Sequence, residues 1–511
     1  MVASRKWFEG EKCGLFLLVV FAAGLRLFFL LNYENMPGNA TDSIVRAFDM
    51  IVNPNLVLNF DGNRSTLFNY ALASFLYFWR DPIVAPRVFT LIFGVLLVFP
   101  YYGTLKTLFD ARIAFLSSLL LVFCPLHIVQ SSTATVDALY YFFFFSVCYY
   151  FFRYRNGQGR KFDLWIAVFL FNIVSLLRFE SWLFIPLFFL LLWPKNKGTA
   201  FRFFLCSIVL PSVWLLVNRI MYQDYFLTFN MSAITARAEI AAGTVPYDPR
   251  VYSWLIVLWR SSGASMVIGG LLGILFAVFS RKRFELALFF LTLLTAFTVH
   301  SCAARMWHTE RYSITLALML IPYAWFFVDR VLALLKIRRT AFFLLILIIP
   351  AVEIWEIARK PLVAIPHMFS LMTEDVSSLA RWLKKNVRQD ETVIIGADRF
   401  DVYPSYLMLR GGILPSTRCL IAWNTVPPFK NKEGFEQCLR ENRTKYLVLN
   451  SESNLQKILK MDLRKKEQNF GGASFENVFE RSMPAFGKYI IYRISYREPA
   501  GGNKDGQPEK V

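Results

Sequence analysis

The sequence predicts a polytopic α-helical membrane protein with a C-terminal extracytoplasmic α/β domain. Of its 511 residues, 56% are hydrophobic and 17% are aromatic, which is more apolar side chain than a soluble protein can hide. Apolar runs that approach the roughly 20 residues of a spanning helix recur as far as about residue 360. These runs lack the alternation of barrel strands, so helices are predicted to cross the membrane. After Met368 the composition becomes that of a soluble domain.

The clearest apolar runs lie between residues 85 and 145. Leu91–Tyr101 and Ile113–Val129 hold no formal charge, and with its flanks each is close to the length of a span. Together with the other runs they predict about eleven transmembrane helices by the same length criterion. We place them at 13–32, 84–101, 112–130, 137–152, 163–177, 181–193, 203–220, 262–279, 284–300, 313–329 and 340–357. The first apolar run is long and lacks a clear cleavage site, which favours a retained span over a signal peptide.

The net charge of +20 predicts membrane topology rather than nucleic-acid binding. Most Lys and Arg residues stand in short links between apolar runs, and the basic links alternate to one side of the membrane. The positive-inside rule makes that side the cytosol. Because the number of predicted spans is odd, the N-terminus is predicted to be cytoplasmic and the C-terminal domain extracytoplasmic. The N-x-S/T sequons at Asn39, Asn63, Asn230 and Asn442 fall on the predicted outer side.

The chain divides into three predicted segments. They are a transmembrane domain at 1–366 with a first outer loop at 33–83, a soluble α/β domain at 367–496, and a disordered tail at 497–511. In the soluble domain a helical pattern precedes the strand VIIG, and KYLVLN and GKYIIYRIS read as further strands. The seven Cys residues show no CxxC spacing, so neither a zinc site nor a disulfide framework is indicated. Cys419 and Cys438 could pair only outside the cytosol.

Short motifs stand near the ends of the predicted spans. They are LRL from Leu25, RVFTLIFG from Arg87, LFDAR from Leu108, CPLHI from Cys124, the stretch from Ser131 to Asp137, RFESWL from Arg178 and ERY from Glu310. Together these motifs resemble the GT-C glycosyltransferases of the protein O-mannosyltransferase and lipid A aminoarabinose transferase type. The order of helix and strands in the C-terminal domain also resembles the outer domain of bacterial members.

The resemblance implies a membrane glycosyltransferase. It would move a sugar, with inversion, from a polyprenyl (undecaprenyl or dolichyl) phosphate carrier to a protein, lipid or glycan acceptor on the extracytoplasmic face. Such a reaction needs a carboxylate for the acceptor nucleophile and cations for the departing phosphate. The expected partners are the lipid-linked donor, the acceptor and membrane lipids, with no nucleic acid. A bacterial inner membrane is favoured over an endoplasmic reticulum, because the C-terminal domain resembles that of bacterial members.

In enzymes of this kind the carboxylate usually stands in the first outer loop, which here reads NMPGNATDSIVRAFDMIVNPN. The resemblance implies Asp42 as the catalytic base, with Asp49 as the second choice. Asp42 is displaced from the family's spacing, because uncharged residues stand where an acidic pair is expected. Alternatively, Thr41 or Asp42 caps a helix over residues 43–51.

Cations gather in the segment HSCAARMWHTERYS at the predicted outer membrane edge. The residues predicted to bind the donor phosphate are Arg311, Arg178, His308 and Arg305. Other candidates at this rim are Asp137, Glu180 and Arg87. Arg presents a fork of donors that matches a phosphate, but snorkelling to the interface also explains Arg at a helix end.

Several of these residues have a structural alternative. Asp137 could cap a helix, and Arg178 and Glu180 could pair only to stabilise their turn. No cofactor and no divalent metal is expected besides the lipid-linked sugar, since His300 and His308 stand eight apart without a dense carboxylate cluster.

Two other functions stay open. A transporter or lipid flippase could also have about eleven spans. Such proteins tend to carry inverted repeats and broken helices with charges near the midplane, whereas the charges here collect at the outer rim. A catalytically inactive family member that binds lipid-linked sugar is the other possibility, and the displaced Asp42 keeps it open.

Overall fold

The computed structural model of the chain describes two compact units, Met1–Met372 and Thr373–Val511. The described residues are 2–32, 38–52, 54, 66–241, 247–279, 281–306, 310–334, 348, 351–352, 377–388, 391–396, 419–422, 432–441, 443–451, 454–470, 472–483 and 487–496.

The first unit consists of helices in its described part. They are α1 (Val2–Asn32), α2 (Gly38–Val52), α3 (Thr66–Phe78), α4 (Val84–Leu96), α5 (Val98–Leu108), α6 (Ala111–Phe123), α7 (Pro125–Gln130), α8 (Val136–Arg155), α9 (Lys161–Leu177), a 3-10 helix (Phe179–Phe184), α10 (Ile185–Leu192), α11 (Lys197–Ser207), α12 (Val209–Tyr222), α13 (Leu227–Ala241), α14 (Ser253–Ser262), α15 (Ala264–Ala277), α16 (Arg281–Cys302) and α17 (Glu310–Leu334).

These helices follow the predicted membrane spans. Each predicted span except the last corresponds to a helix or to consecutive helices, and the last, at 340–357, lies largely outside the described residues. Among the described residues, the helices long and apolar enough to cross a membrane are Glu11–Asn32, Val84–Leu108, Lys197–Tyr222, Arg283–Cys302 and Arg311–Leu334. Large apolar side chains cover the outside of the bundle, as Phe279 shows with 93% exposure. The chain is a polytopic helical membrane protein, and the count of eleven spans stays a prediction.

Local sequence signals set the helix limits near the site. Asp110 is the N-cap of α6, and its carboxylate accepts hydrogen bonds from the backbone N–H groups of Arg112 (3.0 Å) and Ile113 (2.9 Å). Pro125 occupies the first turn of α7, where its missing N–H is not needed. A buried turn at residues 131–135 then leads from α7 into α8.

The helices that carry the site pack closely. α8 is deeply buried, with Phe144 and Phe145 fully enclosed, and it packs against α4, α5 and α9. α15 and α17 approach so closely that a Cβ on Gly273 would lie 2.0 Å from the carbonyl oxygen of Tyr323. Because only glycine permits that approach, α17 is held firmly against α15.

The second unit contains a six-stranded mixed sheet. Its strands are β1 (Val393–Gly396), β2 (Cys419–Ala422), β3 (Tyr446–Asn450), β4 (Glu467–Phe470), β5 (Ala473–Met483) and β6 (Gly487–Tyr496), and its described helices are α18 (Ser377–Asn386), α19 (Lys432–Glu441) and α20 (Asn454–Leu459). The strand order is β2-β1-β3-β6-β5-β4, with β1 parallel to β2 and β3 and the other pairs antiparallel. Ile394, Leu447 and Phe435 belong to its buried apolar core.

Several predictions about this unit stay predictions. They concern the limits 367–496, the placement outside the cytosol, and the pairing of Cys419 with Cys438, since the side chain of Cys419 lies outside the described residues. The predicted tail at 497–511 also lies outside them.

Candidate active site

A buried carboxylate joins three helix ends in the first unit. Asp137, the second residue of α8, is fully buried. Its Oδ1 accepts a hydrogen bond of 2.6 Å from Nη1 of Arg178, and its Oδ2 accepts one of 2.7 Å from Nε of Arg311. Arg178 directly follows α9, and Arg311 is the second residue of α17. The first turn of a helix favours a negative charge, so the position of Asp137 on α8 also suits a carboxylate.

Arg178 contacts carboxylates and aromatic rings. Besides Asp137, its guanidinium bonds Glu180, with 2.9 Å between Nη2 and Oε1. The rings of Tyr140 and Tyr312 lie 5.2 and 5.0 Å from the guanidinium carbon, at distances typical of cation–π contacts. Only 7% of the Arg178 side chain is exposed, and it bonds the buried carboxylate of Asp137.

The local turn explains the direction of the Arg178 side chain. Arg178 has an extended backbone (φ −149°, ψ 126°) that ends α9. Ser181 then returns to it, because both the backbone N–H and the hydroxyl of Ser181 donate to the Arg178 carbonyl oxygen, at 3.1 and 2.8 Å. Nε1 of Trp182 donates to the carbonyl of Ser175 (2.9 Å), which fastens the turn to α9.

Arg311 and Glu180 extend from this buried network toward the surface. Their side chains are 18% and 30% exposed, whereas Asp137 is fully buried. His300, near the end of α16, lies within electrostatic range of both Arg305 and Glu180. The exposed Arg305 lies in the turn that follows α16. Its backbone N–H donates to the carbonyl oxygen of His300 (2.9 Å). In the network itself, two carboxylates balance two guanidinium groups. Arg305 is a further cation within electrostatic range of His300.

The structure corrects two predictions of helix capping. α2 begins at Gly38, so neither Thr41 nor Asp42 is its N-cap. The N-cap of α8 is Thr135, which makes no side-chain capping bond, and Asp137 lies inside the first turn. The capping predictions for Thr41, Asp42 and Asp137 are therefore wrong. They relied on the preference of Ser, Thr, Asp and Asn for N-caps, but these residue types also occur within first turns.

The two candidate bases lie on α2. The side chain of Asp42 lies outside the described residues. Asp49 is half-buried, and burial raises the pKa of its carboxyl, an effect that Arg46 opposes. α2 packs against α3, and Met50 and Tyr70 help to line a largely apolar cavity of about 520 Å³ between them. Among the described residues, Arg46 is a charged neighbour of Asp49.

Other predicted residues fall elsewhere. Arg87, expected at the rim, is 1% exposed, and its Nε donates to the carbonyl of Ser132 (2.8 Å). His308 lies outside the described residues. Arg26 was noted only as part of a motif, yet it is fully buried, and its Nε donates to Oγ of Ser131 (2.8 Å). The sequence does not show that Arg26 and Arg87 meet the 131–135 turn, because Ser131 and Ser132 lie 105 and 45 residues away along the chain.

Comparison with known proteins gives a family match and a fold. Residues 63–220 match the family model described as dolichyl-phosphate-mannose-protein mannosyltransferase, and this region includes Asp137, Arg178 and Glu180. No curated protein matches the chain. Among solved structures, ArnT from Cupriavidus metallidurans bound to undecaprenyl phosphate has a TM-score of 0.62 at 11% identity, covering 94% of this chain and 98% of ArnT.

An archaeal structure has the same fold. The oligosaccharyltransferase AglB from Archaeoglobus fulgidus, in complex with an inhibitory peptide and a dolichol-phosphate, has a TM-score of 0.55 at 11% identity, covering 95% of this chain and 74% of AglB. At these identities the structural matches show the fold. With the family model they confirm the resemblance to GT-C glycosyltransferases of the O-mannosyltransferase and ArnT type, and the prediction that the chain is related to enzymes of that class.

The expectation that no divalent metal is involved is contradicted by one comparison. An oligosaccharyltransferase structure from Archaeoglobus fulgidus is a complex with zinc and sulfate, and it has a TM-score of 0.55 at 13% identity, covering 86% of this chain and 68% of the archaeal one. Among the residues described in this chain, no group of three or more His, Cys, Asp or Glu is arranged to hold a metal ion. Those residues therefore give no ligand set to which the archaeal metal corresponds.

Proposed function

We propose that the chain is an inverting glycosyltransferase that moves a sugar from a polyprenyl (undecaprenyl or dolichyl) phosphate carrier to an acceptor on the extracytoplasmic face of a membrane. The observation that carries this proposal is the buried carboxylate of Asp137, which holds Arg178 and Arg311 at one end of the helical unit. The presence of undecaprenyl phosphate and dolichol-phosphate in structures of the same fold supports the donor class.

Arg311 is the group we assign to the donor phosphate. The phosphate gains negative charge as its bond to the sugar breaks, and a cation fixed beforehand stabilises that charge without reorganising. The bond from Arg311 to Asp137 fixes the direction of its guanidinium, while its partial exposure leaves it near the surface. Arg305 and His308 are assigned supporting positive charge, and Arg178 acts by holding Asp137.

Asp42 is the proposed base, with Asp49 as the second choice. The acceptor oxygen forms a bond to the anomeric carbon on the side opposite the phosphate, and its proton passes to the carboxylate. The bond between that carbon and the phosphate oxygen breaks, and its electron pair leaves with the lipid phosphate. One displacement of this kind inverts the anomeric centre. The acceptor is a hydroxyl or another nucleophile on a protein, lipid or glycan.

The proposed topology places this chemistry outside the cytosol. The Asp137 network stands at the start of α8 and α17 and at the end of α9. The basic links that the positive-inside rule assigns to the cytosol follow the opposite ends of α8 and α17 and precede α9. The N-terminus is thus cytoplasmic in this proposal, the second unit is extracytoplasmic, and a bacterial inner membrane is favoured.

A complementation experiment tests the function and names its substrates. Cells that lack the chain should lose one sugar from a cell-envelope glycan or glycolipid, as measured by mass spectrometry of both fractions. The wild-type chain should restore that sugar. The Arg250→Ala variant should also restore it, because the Arg250 side chain is 59% exposed and its ion pair is with Asp248, two residues away. Arg311→Ala should not restore it. An envelope that is identical with and without the chain would contradict the proposal.

Separate substitutions decide between the two acids. Asp42→Asn should lower transfer by at least about a hundredfold while the fold is kept, as expected for loss of a general base. Asp248→Asn, a partly exposed control whose carboxylate pairs with Arg250, should leave transfer unchanged. If Asp42→Asn keeps full turnover, the base assignment is wrong and Asp49→Asn should abolish transfer instead.

The dependence of the transfer rate on pH tests independently whether Asp49 is the base. A base works deprotonated, and burial raises the pKa of Asp49. A reaction that used Asp49 would therefore lose rate at a higher pH during acidification than one that used an ordinary carboxyl. We expect Asp49→Asn to keep both the rate and the acid limb of the wild-type chain.

A further inference from the structure

The turn between α7 and α8 is a buried polar segment that sets the start of α8. All of its residues, 131 to 135, are buried. Its hydroxyl groups bond backward to α7: Thr133 donates to the carbonyl of Val129 and Thr135 to that of Gln130, each at 2.9 Å. These bonds satisfy carbonyl groups that the end of α7 leaves without intrahelical partners. Asp137 follows two residues after the turn.

Two arginines from other helices hold this turn. Arg26 of α1 donates from Nε to Oγ of Ser131 (2.8 Å). Arg87 of α4 donates from Nε to the carbonyl of Ser132 (2.8 Å). Both arginines are almost completely buried, at 0% and 1% exposure. The turn is therefore fixed from α1 at one residue and from α4 at the next.

α4 supports the turn at two further points. Oγ1 of Thr90 accepts a hydrogen bond of 3.3 Å from the N–H of Ala134. Ala134 has a left-handed backbone (φ 58°), which is strained for alanine and persists only where the surroundings hold it. A Cβ on Gly94 would lie 2.2 Å from Cβ of Ser131, so glycine is required for α4 to approach the turn this closely.

The contacts of Arg26 are unusual for a charge buried in a membrane protein. Besides its bond to Ser131, Arg26 donates from Nη1 to the carbonyl of Ala22 (3.0 Å). Its Nη2 lies 2.5 Å from Nδ1 of His127. Since arginine can only donate, His127 accepts through Nδ1 and is neutral, with its proton on Nε2. Ionisable groups inside a membrane are costly and mark functional positions. Here the cation is used to orient neutral acceptors on the α7 segment and its turn.

We infer that Arg26 and Arg87 are positioning residues of the proposed donor site: they fix the 131–135 turn so that Asp137 holds Arg311 in the direction that binds the lipid phosphate. This inference rests on the proposed function. A hydrogen bond is lost when its atoms separate beyond about 3.5 Å. The Asp137 bonds measure 2.6 and 2.7 Å, so a shift of the start of α8 by about 1 Å along either bond would break that bond.

A double-mutant cycle tests this coupling in the purified full-length chain, with undecaprenyl phosphate as the binding probe. Arg87→Met keeps the long apolar stem and removes the donor, and it should weaken binding about tenfold. Arg311→Ala should weaken it at least about thirtyfold. Because Arg87 acts through the orientation of Arg311, the double variant should bind no more weakly than Arg311→Ala alone. Effects that multiply in the double variant would overturn the positioning role.

Control variants separate positioning from general destabilisation. Arg153→Met applies the same substitution at the opposite end of α8, where Arg153 pairs with Asp163 at 3.6 Å, and it should leave probe binding unchanged. Arg87→Lys, which can still donate one bond, should recover part of the affinity. If Arg87→Met does not fold, Thr90→Val decides the matter: it removes the acceptor of Ala134 with little change in volume and should weaken binding about threefold, again without adding to Arg311→Ala.

The outcomes distinguish the inference from the function beneath it. If Arg311→Ala leaves binding unchanged, the proposed donor site fails. If Arg311→Ala weakens binding while Arg87→Met and Thr90→Val do not, the donor site stands and the positioning role of the turn is wrong.

Discussion

The two ends of the helical unit use the same charged residue types in different ways. Among the described residues at the predicted cytoplasmic end, Lys106 pairs with Glu11, Arg112 with Asp329, Arg153 with Asp163 and Arg155 with Glu285. At the opposite end the carboxylate of Asp137 is shared by two arginines from different helices. Three of the four cytoplasmic pairs are at least partly exposed, whereas Asp137 is fully buried.

That difference distinguishes ion pairs that orient the chain in the membrane from the charged residues of the proposed site. Exposed pairs between a link and a helix end contribute little stability and orient the chain in the membrane. A buried carboxylate shared by two cations couples three helix ends, so that moving one disturbs the others. The number of arginines at a helix end therefore does not mark a site, but the sharing of a buried carboxylate does.

The largest effect should come from Asp137→Asn. Removing the charge leaves Arg178 and Arg311 without their common counter-ion, and we expect a loss of about 3 kcal/mol in the free energy of unfolding together with loss of transfer. At the opposite end, Asp329→Asn should cost under about 1 kcal/mol, because Asp329 is 32% exposed. Thermal unfolding in detergent measures both variants. Equal losses at the two ends would contradict the comparison.

Arg178→Lys should have the next largest effect. The planar guanidinium bonds two carboxylates and lies near two aromatic rings, an arrangement that an ammonium group cannot reproduce. We expect undecaprenyl phosphate affinity to fall about tenfold, as for loss of a charge-assisted bond. The same exchange in Arg153→Lys should leave affinity near that of the wild-type chain. A tolerated Arg178→Lys would show that the second carboxylate bond is dispensable.

Glu180→Gln should have the smallest effect within the network. Its side chain is 30% exposed, so the pair with Arg178 is screened and should contribute less than about 1 kcal/mol to stability. Transfer should fall by less than about tenfold. A loss as large as that of Asp137→Asn would make Glu180, rather than Asp137, the principal counter-ion of Arg178.

The sequence predicted the helices of the first unit better than their contacts. Apolar runs of span length and the basic links between them are local properties, and the helices follow them. The start of α2 was misplaced, because Thr41 and Asp42 resemble capping residues while the helix begins earlier, at Gly38. Capping preference is only a local tendency, which the rest of the chain can override.

The members of the site were predictable one by one, but their pairing was not. Asp137, Arg178 and Arg311 were each singled out, yet their hydrogen bonds span 41 and 174 residues of sequence. A single sequence holds no pattern that links such distant positions. Arg87 is predicted at the rim, whereas the structure buries it. Its burial depends on a carbonyl 45 residues away, which only the folded chain reveals.

The central claim is that Arg311, held by Asp137, binds a lipid-linked phosphate. Its most direct test is the dissociation constant for undecaprenyl phosphate, measured on the purified full-length chain in detergent for the wild type, Arg311→Ala and the exposed control Arg250→Ala. Arg311→Ala should bind at least about thirtyfold more weakly, since a charge-assisted contact is removed, while Arg250→Ala should match the wild type. Equal affinity in all three proteins would contradict the claim.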